Sequence, residues 1–223
     1  MTITNLLIAI NVIAYVWEVA TGTDFNSNRS LYDHGALVGA AVTLDGQWWR
    51  VVTGGFLHGG LAHIALNMFA LYQLGTFVES ILGPWRMLAI YVIALFGGGY
   101  AVVYFAPQDV TVGASGAIFG LFGALFAIGI RMGKRGRSLI SRTLPILLIN
   151  LVFTFAIPFI SKAGHLGGLA SGFVAGLALF AMQPRADEPV AIDKATGEIS
   201  EAEYLPPQTT TYDEPHGAPH RTS

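Results

Sequence analysis

The order of apolar and polar residues divides most of the chain into long apolar segments joined by shorter polar ones. Each apolar segment runs for about 17 to 22 residues, the length a helix needs to cross about 30 Å of hydrocarbon. The expected fold is therefore all-α, a polytopic membrane bundle of six helices. The predicted spans lie at about residues 4–20, 61–80, 85–106, 113–131, 139–158 and 164–183.

Two regions fall outside this pattern. Residues 21–60 are too long for a simple connection and contain Trp49 and Arg50, residue types that suit the membrane interface. We expect a folded outer loop there. Residues 184–223 hold three Lys or Arg and eight Asp or Glu, whereas residues 1–183 hold nine and six. This predicts a membrane domain of residues 1–183 followed by an acidic, disordered, cytoplasmic tail.

The composition excludes several protein classes. Hydrophobic residues make up 53% of the 223 residues and charged residues only 12%, about half the charged share of soluble domains. A soluble fold, a coiled coil or a basic nucleic-acid binder does not fit. The chain has no cysteine, which excludes disulfides, a thiol nucleophile and Cys-ligated metals.

The basic residues predict the orientation of the spans in the membrane. The most basic connection, residues 131–137, lies between spans four and five and should face the cytoplasm. Both termini then also face the cytoplasm. No Lys or Arg precedes Arg29, so we expect the first span to be a retained helix rather than a signal peptide.

With this orientation, four polar residues share one depth near the outer face. His63 and Asn67 open span two, Ser115 opens span four and His165 opens span six. His63 and Asn67 are four residues apart and lie on one helical face. Ser115 falls in the first turn of its helix, where free N–H groups and the helix dipole favour an anion.

A stripe of glycines on span six predicts how two of these residues meet. Small residues at every fourth position let two helices approach closely. We expect this stripe to pack directly against Gly116 and Gly120 of span four, a close contact that we call the glycine seam. The seam would bring His165 near Ser115. The stripe consists of Gly164, Gly168, Gly172 and Gly176.

These residues could form a serine nucleophile with its base. A Ser hydroxyl needs a base to become nucleophilic, and His has a suitable pKa near 6.5. No Asp falls within a predicted span, so the pair would be a Ser–His dyad rather than a triad. Such chemistry needs neither a metal nor an organic cofactor. Taken singly, Ser115 and His165 also fit plain helix-packing roles.

The combined motifs resemble the rhomboid intramembrane serine proteases of the basic six-helix type. Weaker features of the same family are Trp49-Arg50 in the first loop, His58 before span two and Glu79 at its inner end. The resemblance covers roughly residues 1–183. The main motifs are His63-x-x-x-Asn67, Gly113-Ala-Ser115-Gly116 and Gly164-His165-Leu-Gly-Gly168.

The resemblance implies hydrolysis of peptide bonds in or next to the transmembrane segments of other membrane proteins. Ser115 would be the nucleophile and His165 the general base, then acid. His63, Asn67 and the Ser115 backbone N–H would form the oxyanion hole. With the orientation predicted from the basic residues, the site would open to the outer face of the cell membrane. The sequence leaves the oligomeric state and the natural substrate open.

Two further expectations come from the resemblance alone. Family members often carry an aromatic residue, commonly Tyr, one turn after the serine and stacked on the catalytic His; here that residue is Phe119. Span five is the proposed substrate gate of the family, and its bulky residues Phe153, Phe155 and Phe159 are candidate gate residues.

Other functions fit the same residues less well. The H-E-x-x-H motif of zinc proteases is absent. The hydrolase elbow G-x-S-x-G fails because Ala117 occupies its last position. Two alternatives stay open. One is a catalytically inactive rhomboid-like protein that binds membrane helices, and the other is a small transporter, which would need intramembrane charges or inverted repeats.

Overall fold

The computed structural model describes residues 1–182. The predicted tail, residues 184–223, lies outside the described residues. The described part is helical, and its one β-type contact is an isolated bridge between Leu37 and Thr111. Its helices are α1 (Ile3–Ala20), α2 (Asn28–Asp33), α3 (Gly39–Asp45), α4 (Arg50–Thr53), α5 (Leu61–Leu82), α6 (Pro84–Phe105), α7 (Ser115–Arg131), α8 (Arg137–Ala156) and α9 (Lys162–Ala181).

Five helices, α1, α5, α6, α8 and α9, are long and apolar enough to cross a membrane. The sixth apolar helix, α7, has 17 residues and is about 26 Å long. It forms the centre of the bundle, since 12 of its residues are buried. Helices α6, α9, α5 and α8 all pack against it.

The predicted glycine seam between α7 and α9 is confirmed. A Cβ atom on Gly168 would collide with the backbone of Gly116, and one on Gly172 would collide with the backbone of Gly120. Farther along the helix, a Cβ atom on Gly176 would likewise collide with the backbone of Ala124. Because no side chain separates them, the two backbones touch directly. This contact determines the distance between the two helices and their relative position along the helix axis.

The loop of residues 21–60, called the outer loop after the orientation that the sequence predicts, contains the three short helices α2, α3 and α4. Arg50 is 4% exposed and its Nη1 donates to the carbonyl oxygens of Tyr32 and Ala36 at 2.8 and 2.9 Å. The guanidinium also lies 4.0 Å from the centre of the Tyr32 ring, within cation–π range. Arg50 therefore holds the loop in one shape.

Glu79 ties the end of α5 to the start of α1. Its carboxylate accepts the backbone N–H groups of Ile3 and Thr4 at 3.0 and 2.9 Å and the Thr4 hydroxyl at 2.6 Å. These N–H groups belong to the first turn of α1 and have no partner within the helix. Glu79 thus has a structural role, since its hydrogen bonds connect α5 to α1.

Helix α8 is held less firmly than the other long helices. Its buried residues are Thr143, Leu147 and Thr154, and 17% of its most apolar window is buried, against 33% for α9 and 44% for α6. Pro145 lies inside the helix, where it removes one backbone hydrogen bond. Most of the α8 surface is therefore left to surrounding lipid.

Candidate active site

Ser115 begins the central helix α7. Within residues 1–182, no side chain caps this helix at its first residues. The N–H groups of a first turn lack partners within their own helix, so here they remain available to an anionic group beside Ser115. The positive end of the helix dipole favours the same charge.

Ser115 and His165 are in direct contact. The Ser115 hydroxyl oxygen lies 2.8 Å from His165 Nε2, a hydrogen-bonding distance. His165 is 7% exposed and lies in the first turn of α9, beside the seam with α7. The two residues lie 50 positions apart in the chain, and the close approach of two backbones brings them together.

Two further side chains fix the plane of the His165 ring. Phe119, one turn after Ser115, stacks on it with 4.1 Å between ring centres and 18° between planes. On the other edge of the ring, Nδ1 lies 2.8 Å from the Thr154 hydroxyl of α8. Thr154 is fully buried. Both nitrogen atoms of the imidazole therefore have a partner.

His63 lies beside Gly113, two residues before Ser115. Its Nδ1 accepts the backbone N–H of Gly59 at 3.1 Å, so in the neutral ring the proton is on Nε2. A Cβ atom on Gly113 would lie 2.9 Å from His63 Nε2 and 3.6 Å from the Ser115 hydroxyl oxygen. His63 thus presents an N–H donor toward the space beside Ser115.

Gly113 is required at this point for two reasons. Its φ of +121° lies in a region that residues with a side chain rarely adopt. A Cβ atom there would also come within 2.8 Å of the His63 ring. Its backbone N–H donates to the carbonyl oxygen of Gly54 at 2.9 Å, which ties the outer loop to the residues before Ser115.

Asn67 is buried in α5, one turn after His63. Its side-chain Nδ2 donates to the His63 carbonyl oxygen at 3.0 Å. An amide group carries two N–H donors, so one remains for another acceptor. His63 and Asn67 thus share one face of α5, as their spacing indicated.

His58 and Glu18 form a support behind His63. Both oxygens of the Glu18 carboxylate accept the His58 backbone N–H, at 3.0 and 3.3 Å. The His58 ring meets the His63 ring edge-on, with 5.2 Å between centres. Burial, together with a smaller contribution from the nearby His63, lowers the pKa of His58 to about 4. His58 is therefore neutral at pH 7.

Sequence reasoning missed Glu18 and Thr154. A carboxylate inside an apolar span is costly and often functional, so Glu18 could have been singled out on that ground. Thr154 gives a weaker signal, because Thr is common in membrane helices. Arg50 and Glu79 make hydrogen bonds that support the fold, and the Arg50 guanidinium lies 4.5 Å from the centre of the Trp49 ring. None of the three lines the cavity beside Ser115 and His165. Within residues 1–182, no group of His, Asp or Glu residues could hold a metal ion.

A small cavity adjoins the Ser115–His165 pair. Its volume is about 30 Å³, enough to hold water. Several of its walls are glycine backbones, including Gly98, Gly116 and Gly164.

Comparisons with known proteins agree with this architecture. Residues 45–182 match the rhomboid domain family. Rhomboid protease GluP of Bacillus subtilis is 38% identical over 179 residues, 80% of this chain and 35% of that protein. RHOMBOID-like protein 6 of Arabidopsis thaliana, described as mitochondrial, is 34% identical over 162 residues, 71% of this chain and 52% of its own length.

A third relative is the putative rhomboid protease YdcA of Bacillus subtilis, 34% identical over 132 residues, 58% of this chain and 66% of that protein. The chain thus spans about a third of the first relative and half of the second. The helices and the family match together confirm the predicted all-α, multi-pass membrane bundle. This chain belongs to the rhomboid family.

Proposed function

We propose that this protein is an intramembrane serine endopeptidase. The observation that carries the proposal is the 2.8 Å contact between the Ser115 hydroxyl oxygen and His165 Nε2, at the uncapped start of a buried helix. A base in contact with a hydroxyl, beside unpaired N–H donors, is the arrangement that acyl transfer requires. The relatives named as rhomboid proteases support the same activity.

The chemistry follows from the contacts. Ser115 attacks the carbonyl carbon of the scissile bond while its proton passes to His165 Nε2. The tetrahedral intermediate collapses as His165 returns that proton to the leaving amine, which leaves an acyl-enzyme on Ser115. Water then attacks the ester and gives a proton to His165. Collapse of this second intermediate breaks the bond between Ser115 and the acyl group and releases the acid product, while His165 returns the proton to the Ser115 oxygen. The cavity beside the dyad has room for this water.

The oxyanion of the intermediate needs donors that are already in place. The Ser115 backbone N–H, His63 Nε2–H and the second Asn67 N–H are the proposed set. The contacts of Gly59 with His63 and of Asn67 with its own helix support it, because they hold both side chains in one orientation. Preorganised donors of this kind stabilise developing negative charge.

The length of α7 supports a site within the membrane. A helix of about 26 Å cannot cross about 30 Å of hydrocarbon completely. If Arg131 lies at the cytoplasmic boundary, as the basic loop after it predicts, then Ser115 lies below the outer surface. Substrates would be transmembrane segments of other proteins, which enter past the weakly packed α8.

Cleavage of a generic transmembrane substrate by purified protein in detergent tests the function. Wild type and Ser115→Ala would be compared, and both would be treated with a fluorophosphonate probe. We expect cleavage and labelling in the wild type and neither in the variant.

Two results would change this assignment. Equal cleavage by the Ser115→Ala variant would point to a contaminating protease and contradict the proposal. A folded wild type that neither cleaves nor is labelled would favour an inactive rhomboid-like protein that binds membrane helices.

A further inference from the structure

The residue that faces the second nitrogen of His165 comes from α8. Thr154 is fully buried, and its hydroxyl oxygen lies 2.8 Å from His165 Nδ1. In a catalytic triad an Asp occupies this position and selects the tautomer of the base. This chain has a neutral hydroxyl there instead.

The hydrogen bonds around Thr154 determine which nitrogen of His165 carries the proton. The Thr154 hydroxyl donates its single hydrogen to the carbonyl oxygen of Asn150 at 2.7 Å. Its oxygen can then only accept from His165, which requires a proton on Nδ1. In the neutral ring Nε2 is then unprotonated, and it lies 2.8 Å from the Ser115 hydroxyl oxygen.

All three hydrogen bonds then run in one direction. Ser115 donates to Nε2 of His165, Nδ1 donates to Thr154, and Thr154 donates to the Asn150 carbonyl. Reversing the Thr154 hydroxyl would place the His165 proton on Nε2 and remove the base from Ser115. The direction of one hydroxyl group thus decides whether the dyad can act.

The helix that carries Thr154 is the weakly held one. Only Thr143, Leu147 and Thr154 of α8 are buried, whereas α9, which carries His165, is locked against α7 by its glycine seam. An outward displacement of α8 therefore separates Thr154 from His165 while His165 and Ser115 stay in contact.

We propose that Thr154 is a positioning residue that holds His165 in the Nδ1–H tautomer and makes the base depend on the position of α8. The inference rests on the proposed function for its effect on catalysis. Its structural part, the choice of tautomer, does not.

The test compares Thr154→Val, which keeps the shape and loses the hydroxyl, with Thr154→Ser, which keeps the hydroxyl. Thr143→Val is the matched control, because Thr143 is a buried threonine on the same helix outside the site. The tautomer of His165 is read from nitrogen-15 spectra of histidine-labelled protein in detergent, with His165→Gln to assign the signals. The kcat and KM for a transmembrane substrate and the unfolding temperature are measured beside it.

We expect Nδ1–H in the wild type, Thr154→Ser and Thr143→Val, and a shift to Nε2–H in Thr154→Val. In that variant kcat should fall about tenfold or more, because the ring must first move its proton from Nε2 to Nδ1 before Nε2 can act as the base, with KM and the unfolding temperature unchanged. An unchanged tautomer in Thr154→Val would overturn the inference, as would an equal loss of kcat in Thr143→Val. If the wild type does not cleave but the tautomer shifts as expected, the proposed function fails and the role of Thr154 stands.

Discussion

Helices α9 and α8 both pack against the central helix α7, and they do so in opposite ways. Between α7 and α9 the backbones touch, since Gly168 and Gly172 leave no space for a side chain. Helix α8 has few buried residues, contains Pro145 and exposes large side chains such as Phe153 and Phe155, at 54% and 57%.

This difference separates two tasks within one site. Backbone contact sets the separation of the two helices that carry Ser115 and His165. One of the two side chains that orient the His165 ring, Thr154, lies on the weakly packed helix α8. A substrate segment could therefore displace α8 without separating Ser115 from His165.

The largest effect is expected where the two backbones touch. In Gly172→Ala the new methyl group collides with the backbone of Gly120, so α9 must move away from α7. We expect activity to be lost and the free energy of unfolding to fall by about 3 kcal/mol, as for overpacked cores.

Unfolding in detergent and substrate cleavage would measure both effects. Ala170→Val is the control, since Ala170 is an exposed residue of α9. Equal stability of Gly172→Ala and the wild type would mean that the seam is not rigid.

A substitution of Asn67 changes a proposed catalytic group on α5 without changing the glycine contact between α7 and α9. Asn67→Ala removes one proposed oxyanion donor, and we expect kcat to fall on the order of 10²-fold with little change in the unfolding temperature. Steady-state kinetics with a transmembrane substrate would measure it. An unchanged kcat would remove Asn67 from the proposed oxyanion hole.

The support behind His63 should make stability depend on pH. The pKa of His58 is lowered to about 4 by burial, whereas in the unfolded chain it is near 6.5. Between these values the unfolded state binds the extra proton, so stability falls as the pH falls. We expect His58 to lower the free energy of unfolding by about 2 kcal/mol as the pH falls from 7 to 5.

When unfolding is measured at both pH values, His58→Gln should lose less stability between pH 7 and pH 5 than the wild type does. His34→Gln serves as control, because His34 is a half-buried histidine of the outer loop. The same pH dependence in His58→Gln and the wild type would contradict the assignment.

The smallest effect is expected on the weakly packed side. In Phe153→Ala, a large exposed side chain of α8 is removed, so stability should change by less than about 0.5 kcal/mol. Cleavage of a membrane substrate should rise a few-fold, while labelling by the small fluorophosphonate stays the same. Phe69→Ala on α5 is the control, since Phe69 is 66% exposed. Slower or unchanged cleavage would count against entry past α8.

Much of the arrangement could be predicted from local patterns. The glycine spacing on span six predicted the seam with α7. Glycines at every fourth position lie on one face of a helix, and a face without side chains lets another helix approach closely. The spacing of His63 and Asn67 placed them on one face of α5. Thr154 could not be found this way, because nothing in the residues of span five indicates which neighbour its hydroxyl meets.

The sequence by itself determined the number of long helices, their apolar character and the polar residues at their ends. These features depend on residues close together in the chain, such as those at positions 63 and 67. Only the tertiary structure decided that Glu18 supports His58 and that Thr154 faces His165. The physical reason is that each contact joins two elements whose relative rotation and depth are set by the packing of the whole bundle.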